Sequence, residues 1–175
     1  MNTRWKATLL PVLLACRGIR VAMTVVIRPA LPSDLVPLAQ LFARTREAAF
    51  PWLTATKVKS LEKEFQDQTA GETVFVAADK FSSSVVGFVS VWEPARFLHH
   101  LYVSPERQGE GIGSQLLASI TSRLPPPYQL KCLVQNRRAR AFYQRHGWYP
   151  ITVGQSAEGD YELLEWSNRP DRSNA

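Results

Sequence analysis

Between Val103 and Leu116 the chain passes from an apolar run to a helical pattern through Gly109, Gly111 and Gly113, three glycines at alternate positions. A strand therefore has to end and a helix begin within a few residues. Phe97 to Val103 is apolar or aromatic except for His99 and His100, while Ile112, Leu116, Leu117 and Ile120 recur at helical spacing. The glycines thus sit at a helix N-terminus, where the first backbone N–H groups lack intrahelical partners and the helix dipole adds partial positive charge. A phosphate oxygen can be held there without a dedicated cationic side chain. The plain alternative is that the glycines only turn the chain. Two familiar nucleotide loops are excluded. A Walker loop needs Gly-Lys-Ser/Thr, and Gly113 is followed by Ser114 and Gln115; a dinucleotide fingerprint needs Gly-x-Gly-x-x-Gly and a later acid, and residues 130–135 contain none.

The rest of the chain alternates strand and helix signals. A strand is expected at 24–28, then a helix capped by the Ser33 hydroxyl, carrying Leu35, Leu38, Leu41 and Phe42 and ended by Pro51. A second helix is expected over 55–68, with Val58, Leu61 and Phe65 on one face. Residues 73–78, 85–92 and 97–103 read as an antiparallel meander, its first two strands joined through Asp79–Ser84. After the glycine helix, closed by Pro125-Pro126-Pro127, residues 129–134 read as a short buried strand and 137–146 as a helix ended at Gly147. A final strand pair at 148–152 and 161–166 turns at 154–160.

The glycine segment also fits Gln/Arg-x-x-Gly-x-Gly/Ala, as Gln108-x-x-Gly111-x-Gly113, and here the chain resembles the GNAT superfamily of acyl-CoA-dependent N-acetyltransferases. Asn136 to Trp148 is similar to that superfamily's Asn-x-x-Ala-x-x-Phe-Tyr-x-x-x-Gly-Phe element, with Trp148 where Phe is usual. The resemblance runs from about Val25 to Trp166. It implies one α/β (α+β) domain with a mixed, mostly antiparallel sheet of six to seven strands, about four helices, and strands splayed at the acetyl-CoA site. Pantetheine would pair with backbone near Leu101, Tyr102 and Val103; the pyrophosphate would take N–H groups around Gln108, Gly109, Glu110, Gly111, Ile112, Gly113 and Ser114; Asn136, Phe142 and Tyr143 would complete the cofactor-binding set. Asn136 can also serve as a helix N-cap.

Acetyl transfer to an amine needs a neutral amine, a steadied oxyanion and an acid for the departing thiolate. The resemblance implies Tyr143 as the acid, a phenol with an ordinary pKa near 10; the alternative is an aromatic core residue beside Phe142. For the base, relatives place a Glu or His on the strand before the loop, and the chain offers Glu93, His99 and His100. Strand alternation puts 99, 101 and 103 on one face and 100 on the other, and the family's usual position favours His99, with a hydrogen-bonded core histidine as the alternative. Glu93 could instead hold a cationic substrate or sit exposed before Pro94. Arg46, Glu47, Phe50, Trp52 and Tyr161 are candidate liners of the acceptor side, Phe50 and Trp52 equally core or homodimer contacts. The expected acceptor is an amine on a small molecule or peptide; its identity is open. A catalytically silent CoA-binding sensor is the alternative function.

With 175 residues and 45% hydrophobic content, one domain is expected. Cys16 and Cys132 have neither metal-ligand spacing nor a cysteine framework, and no acidic pair is spaced for a metal, so no metal is invoked. The net charge of +6 comes with no nucleic-acid motif, and Arg137, Arg138, Arg140 and Arg145 lie where a CoA 3′-phosphate would want them. Neither nucleic acid nor a membrane is expected as a partner. Arg4 and Lys6 precede an apolar run to Ala15, and Leu13–Cys16 has the outline of a lipoprotein box; against it stand the short run, Pro11 and Arg17. Residues 1–22 are read as a disordered extension or start-site artefact, 23–168 as the domain and 169–175 as a tail, in the cytoplasm where acetyl-CoA is available.

Overall fold

The computed structural model describes residues 24–49, 61–123 and 125–167. Among them seven strands form one sheet: β1 (Val25–Pro29), β2 (Thr73–Asp79), β3 (Val85–Trp92), β4 (Phe97–Val103), β5 (Tyr128–Leu133), β6 (Tyr149–Ser156) and β7 (Gly159–Trp166). Their order is β1-β2-β3-β4-β5-β7-β6, and every neighbouring pair is antiparallel except β4 and β5. Among the described residues four α-helices cover the sheet: α1 (Leu35–Ala49), α2 (Leu61–Gln68), α3 (Ile112–Thr121) and α4 (Arg137–Arg145).

The near-continuous apolar runs of β2 and β3 suit central strands covered on both faces. Val74 and Val76 pack with Leu38, Phe42 and Phe65 of α1 and α2. Phe75 and Ala77, pointing the other way, pack with Ile112, Leu116 and Ile120 of α3. Tyr143 and Trp148 join that second layer, so α4 and the start of β6 are anchored on the same core as the glycine-headed helix.

Two local expectations are corrected. Ser33 does not cap α1; Pro32–Asp34 forms a 3-10 turn leading into it. The Asp34 carboxylate accepts from Leu31 N–H at 2.8 Å and from the Arg28 guanidinium at 2.6 and 3.0 Å. A carboxylate offers two charged acceptors where a hydroxyl offers one neutral oxygen, and the Arg28 hydrogen bond holds its carboxyl below the usual range. The last hairpin is tighter than expected, because β6 continues through Gly154 to Ser156 and the chain reverses at Ala157 and Glu158. Gly154 is no turn residue: a Cβ there would stand 2.6 Å from the Tyr161 ring of the opposite strand. Of the second helix, Leu61–Gln68 is observed; 55–60 and Pro51 lie outside the described residues, as do 1–22, 169–175, Phe50 and Trp52.

Candidate active site

β4 and β5 touch at one end only, Phe97 opposite Gln129, and then part. β5 continues along β7 through Leu133, while β4 stays on β3, with Leu101, Tyr102 and Val103 opposite Val89, Phe88 and Gly87. The β5-facing edge of β4 beyond Phe97 therefore has no strand partner, which leaves a slot suited to an extended ligand.

At the open end of that slot the chain takes a 3-10 turn, Pro105–Arg107, and enters the glycine loop. Arg107 braces the loop, reaching Glu110 at 2.8 Å, Asp79 at 2.9 Å and Thr24 at 2.9 Å. Gln108 turns its side chain back to Val103 O at 3.0 Å. Gly111 is the N-cap of α3 with φ +77, a left-handed conformation that L side chains resist. Gly113 answers to space: a Cβ on it would meet the Phe142 ring at 3.4 Å. The first N–H groups of α3, at Ile112, Gly113 and Ser114, have no intrahelical acceptor. Ser114 is oriented by His146, whose Nδ1 donates to Phe142 O at 2.8 Å, leaving Nε2 to accept from the Ser114 hydroxyl at 2.8 Å.

The α4 element closes the slot from the side of β5. Asn136 is its N-cap, Oδ1 accepting from Ala139 N–H at 3.0 Å. Phe142 and Tyr143 lie edge to face, 5.3 Å between ring centres, and Tyr143 also packs on Trp148. Tyr143 is buried, and burial pushes its phenol well above the ordinary value, so it remains a proton donor throughout the physiological range. Its hydroxyl has no hydrogen-bond partner among the described residues. Cys132 of β5 is close enough to act on that phenol; burial pushes the Cys132 thiol up to about 12, so it is an inert neighbour. Arg140 is committed to Glu162 at 2.9 and 2.5 Å, whereas Arg137, Arg138 and Arg145 are exposed, with no ion pair among the described residues.

The strict alternation expected for β4 does not hold. The register passes from Ser90 opposite His100 to Val91 opposite Leu98, so His99 is the extra residue of a bulge. Leu98, Leu101 and Val103 all pack toward α3, while His100 and Tyr102 pack toward α1. His100 donates from Nε2 to Gln68 at 3.1 Å and accepts at Nδ1 from Ser90 at 2.9 Å. Burial, with smaller contributions from His99 and Arg46, lowers its pKa to about 4, so it is a neutral, fully bonded histidine. His99 is half-exposed and bonded through Nδ1 to Glu72. Glu93 lies apart from the slot: Thr73 donates to its carboxylate at 2.5 Å, and it lines an open groove of about 540 Å³ with Gly71, Pro94, Arg96 and Pro125.

On the α1 face Arg46 bridges two carboxylates, Glu64 of α2 at 3.3 Å and Glu158 of the β6–β7 turn. The turn is thereby drawn across toward α1, over the region where burial pushes the Tyr102 phenol up to about 12. Glu47 is exposed, and Tyr161 lies under the Lys131 ammonium at 4.6 Å. Sequence reasoning missed Glu72, Gln68 and Glu158, which belong to no local motif; only the spacing of Phe142 and His146, four apart on one helix, could have signalled the His146–Ser114 contact. Among the described residues no cluster of three His, Cys, Asp or Glu could hold a metal, and no helix is long and apolar enough to cross a membrane.

No curated protein matches the sequence. Solved structures do match its fold. The GCN5-related N-acetyltransferase from Rhodopseudomonas palustris superposes with a TM-score of 0.68 at 20% identity, covering 86% of this chain and 99% of that one. The PaiA N-acetyltransferase from Thermoplasma acidophilum, solved with coenzyme A, gives 0.65 at 17%, covering 82% and 98%. The ribosomal-protein-S18-alanine N-acetyltransferase from Escherichia coli gives 0.64 at 19%, covering 86% and 98%. Residues 70–150, from β2 through the glycine loop to α4, match the model of the acetyltransferase (GNAT) domain. That match and the splayed seven-stranded sheet around it make the chain similar, in motif and in fold, to the GNAT acetyltransferases.

Proposed function

We propose that this protein is an acetyl-CoA-dependent N-acetyltransferase that transfers the acetyl group directly to a primary amine with both substrates bound. The observation that carries the reading is the pairing of an open β4–β5 slot with a glycine loop of unpartnered helix N–H groups at its mouth. In this reading the backbone from Gln108 to Ser114 holds the pyrophosphate, the β4 edge at Leu101, Tyr102 and Val103 pairs with pantetheine, and Asn136 and Phe142 bound the arm. The exposed Arg137, Arg138 and Arg145 are the cations available to the 3′-phosphate. The T. acidophilum relative, solved with coenzyme A, supports this use of the fold.

Acetyl transfer forms an amide and releases a thiol, so one proton leaves the amine and one reaches the sulfur. His99, with a free ring nitrogen in the bulge, takes the first; Tyr143, buried and protonated, supplies the second. His100 is unsuited to the task because both its nitrogens are engaged. Glu93, turned to Thr73, has at most a role in holding a cationic acceptor. The acceptor enters from the α1 face between Arg46, Glu47 and the β6–β7 turn, with Phe50 and Trp52 in the adjoining segment. Its class is an amine of a small molecule or peptide, and its compartment is the cytoplasm, where the acyl donor is made.

The test is thiol release from acetyl-CoA across a panel of amines and peptides, with calorimetric CoA binding alongside. Amine-dependent turnover is the expected result. Tight CoA binding without turnover on any acceptor would make the protein a sensor, and absence of CoA binding would overturn the reading of the loop.

A further inference from the structure

Glu72 and His99 meet across 27 residues of sequence, joining the turn after α2 to the bulge of β4. The Glu72 side chain is 2% exposed and that of His99 is 40% exposed. An ionised carboxylate can only accept, so the ring nitrogen facing Glu72 Oε1 is the donor, and neutral His99 is the Nδ1–H tautomer with an unprotonated Nε2. Nε2 has no hydrogen-bond partner among the described residues. The second Glu72 oxygen, Oε2, is buried and also unpartnered there. Enclosing a carboxylate that satisfies one oxygen and serves one half-exposed ring is a poor way to gain stability, since an apolar side chain of the same volume would avoid the desolvation. It is a good way to fix a base. The neighbouring histidine shows the contrast: His100 spends both nitrogens on Ser90 and Gln68 and has none left.

We propose that Glu72 is a positioning residue: it locks His99 in the Nδ1–H tautomer, presents Nε2 as the proton acceptor, and balances the imidazolium that forms. The proposal rests on the reading of His99 as base. In the step it serves, an N–H proton of the acceptor amine moves to Nε2 as the amine nitrogen forms its bond to the acetyl carbon. The resulting imidazolium, paired with the Glu72 carboxylate, later returns the proton to water.

The experiment compares wild type, Glu72→Met, Glu72→Gln and His99→Ala, all full-length. Imidazole ¹⁵N NMR on histidine-labelled protein reads the tautomer, and thiol release from acetyl-CoA, with spermidine and an alanine-terminated peptide as acceptors, reads turnover. Wild-type His99 is expected as Nδ1–H. Glu72→Met should lose that preference while folding normally, and its kcat should fall about 10- to 100-fold, part of the ~10²–10⁴ that a general base supplies. KM for acetyl-CoA should change less than about twofold, because the pyrophosphate loop is untouched. Glu72→Gln, which keeps an acceptor oxygen but no charge, should retain the tautomer and lose less. If both Glu72 variants turn over as wild type while His99→Ala does not, the proposal is overturned and the base assignment survives; if wild-type His99 is Nε2–H, its outward nitrogen has no lone pair to offer, and the proposal and the base assignment fall together. Full turnover by His99→Ala would overturn that assignment and the catalytic role of Glu72 with it.

Discussion

His99 and His100 are adjacent in the chain and opposite in chemistry. His100 is enclosed by Phe42, Phe88 and Tyr102 and has its pKa lowered from 6.5 to about 4. As pH falls below its ordinary value the unfolded chain binds a proton that the folded chain refuses, so His100 costs stability progressively between about pH 6.5 and pH 4 and nothing above that window. The loss reaches about 3 kcal/mol at the acid end. Urea midpoints at about pH 7 and about pH 4.5 should separate by less in His100→Gln than in wild type, and an unchanged separation would mean that another group carries the acid sensitivity. For Tyr143→Phe, kcat should fall about tenfold with CoA affinity retained, the loss kept small because a thiolate, with an ordinary pKa near 8.5, leaves without strong need of an acid. Both histidines were legible as candidates from the residues alone. Alternation and the family's usual position already favoured His99; what was not legible is the chemistry that sets the two apart, because the bulge at His99 and the partners Ser90, Gln68 and Glu72 depend on other segments.

At the scale of elements, α3 and α4 hold the two halves of the motif against each other, and Gly113 is where they touch. Gly113→Val should push its side chain into the Phe142 ring and shift the head of α3, lowering CoA affinity at least about tenfold by calorimetry, with overpacking of about 1–3 kcal/mol read in the urea midpoint. Asn136→Ala should cost about 1 kcal/mol through the lost cap, with weaker CoA binding beyond that if the amide also meets the pantetheine arm. The glycine loop, the Asn136 cap and the Phe142–Tyr143 pair were legible because their signals lie within a few residues. The Ser33 cap failed because the helical turn already begins at Pro32 and takes Ser33 into its interior, and the Gly154 turn failed because that glycine answers to Tyr161 across the hairpin.

For the whole molecule, ligand binding couples to a sheet that is unpaired at its middle. A CoA molecule spanning the β4–β5 slot and the head of α3 should stabilise the native state by about 2.7 kcal/mol at a hundredfold excess over Kd, raising Tm by about 5–10 °C. The same concentration of CoA should move Gly113→Val little, and an equal shift in both would place the binding elsewhere. Local patterns of apolar spacing, glycine position and capping residues by themselves determined the strand and helix order, the resemblance to the GNAT superfamily with its splayed strands, and the residues around the glycine loop, because each such signal is written within one turn or one strand. Only the tertiary structure decided the bulge that sets His99 apart from His100, and the meeting of Glu72 with His99 and of Arg46 with Glu158. Those depend on strand register and on contacts between distant segments, which form only when the two layers close on the sheet.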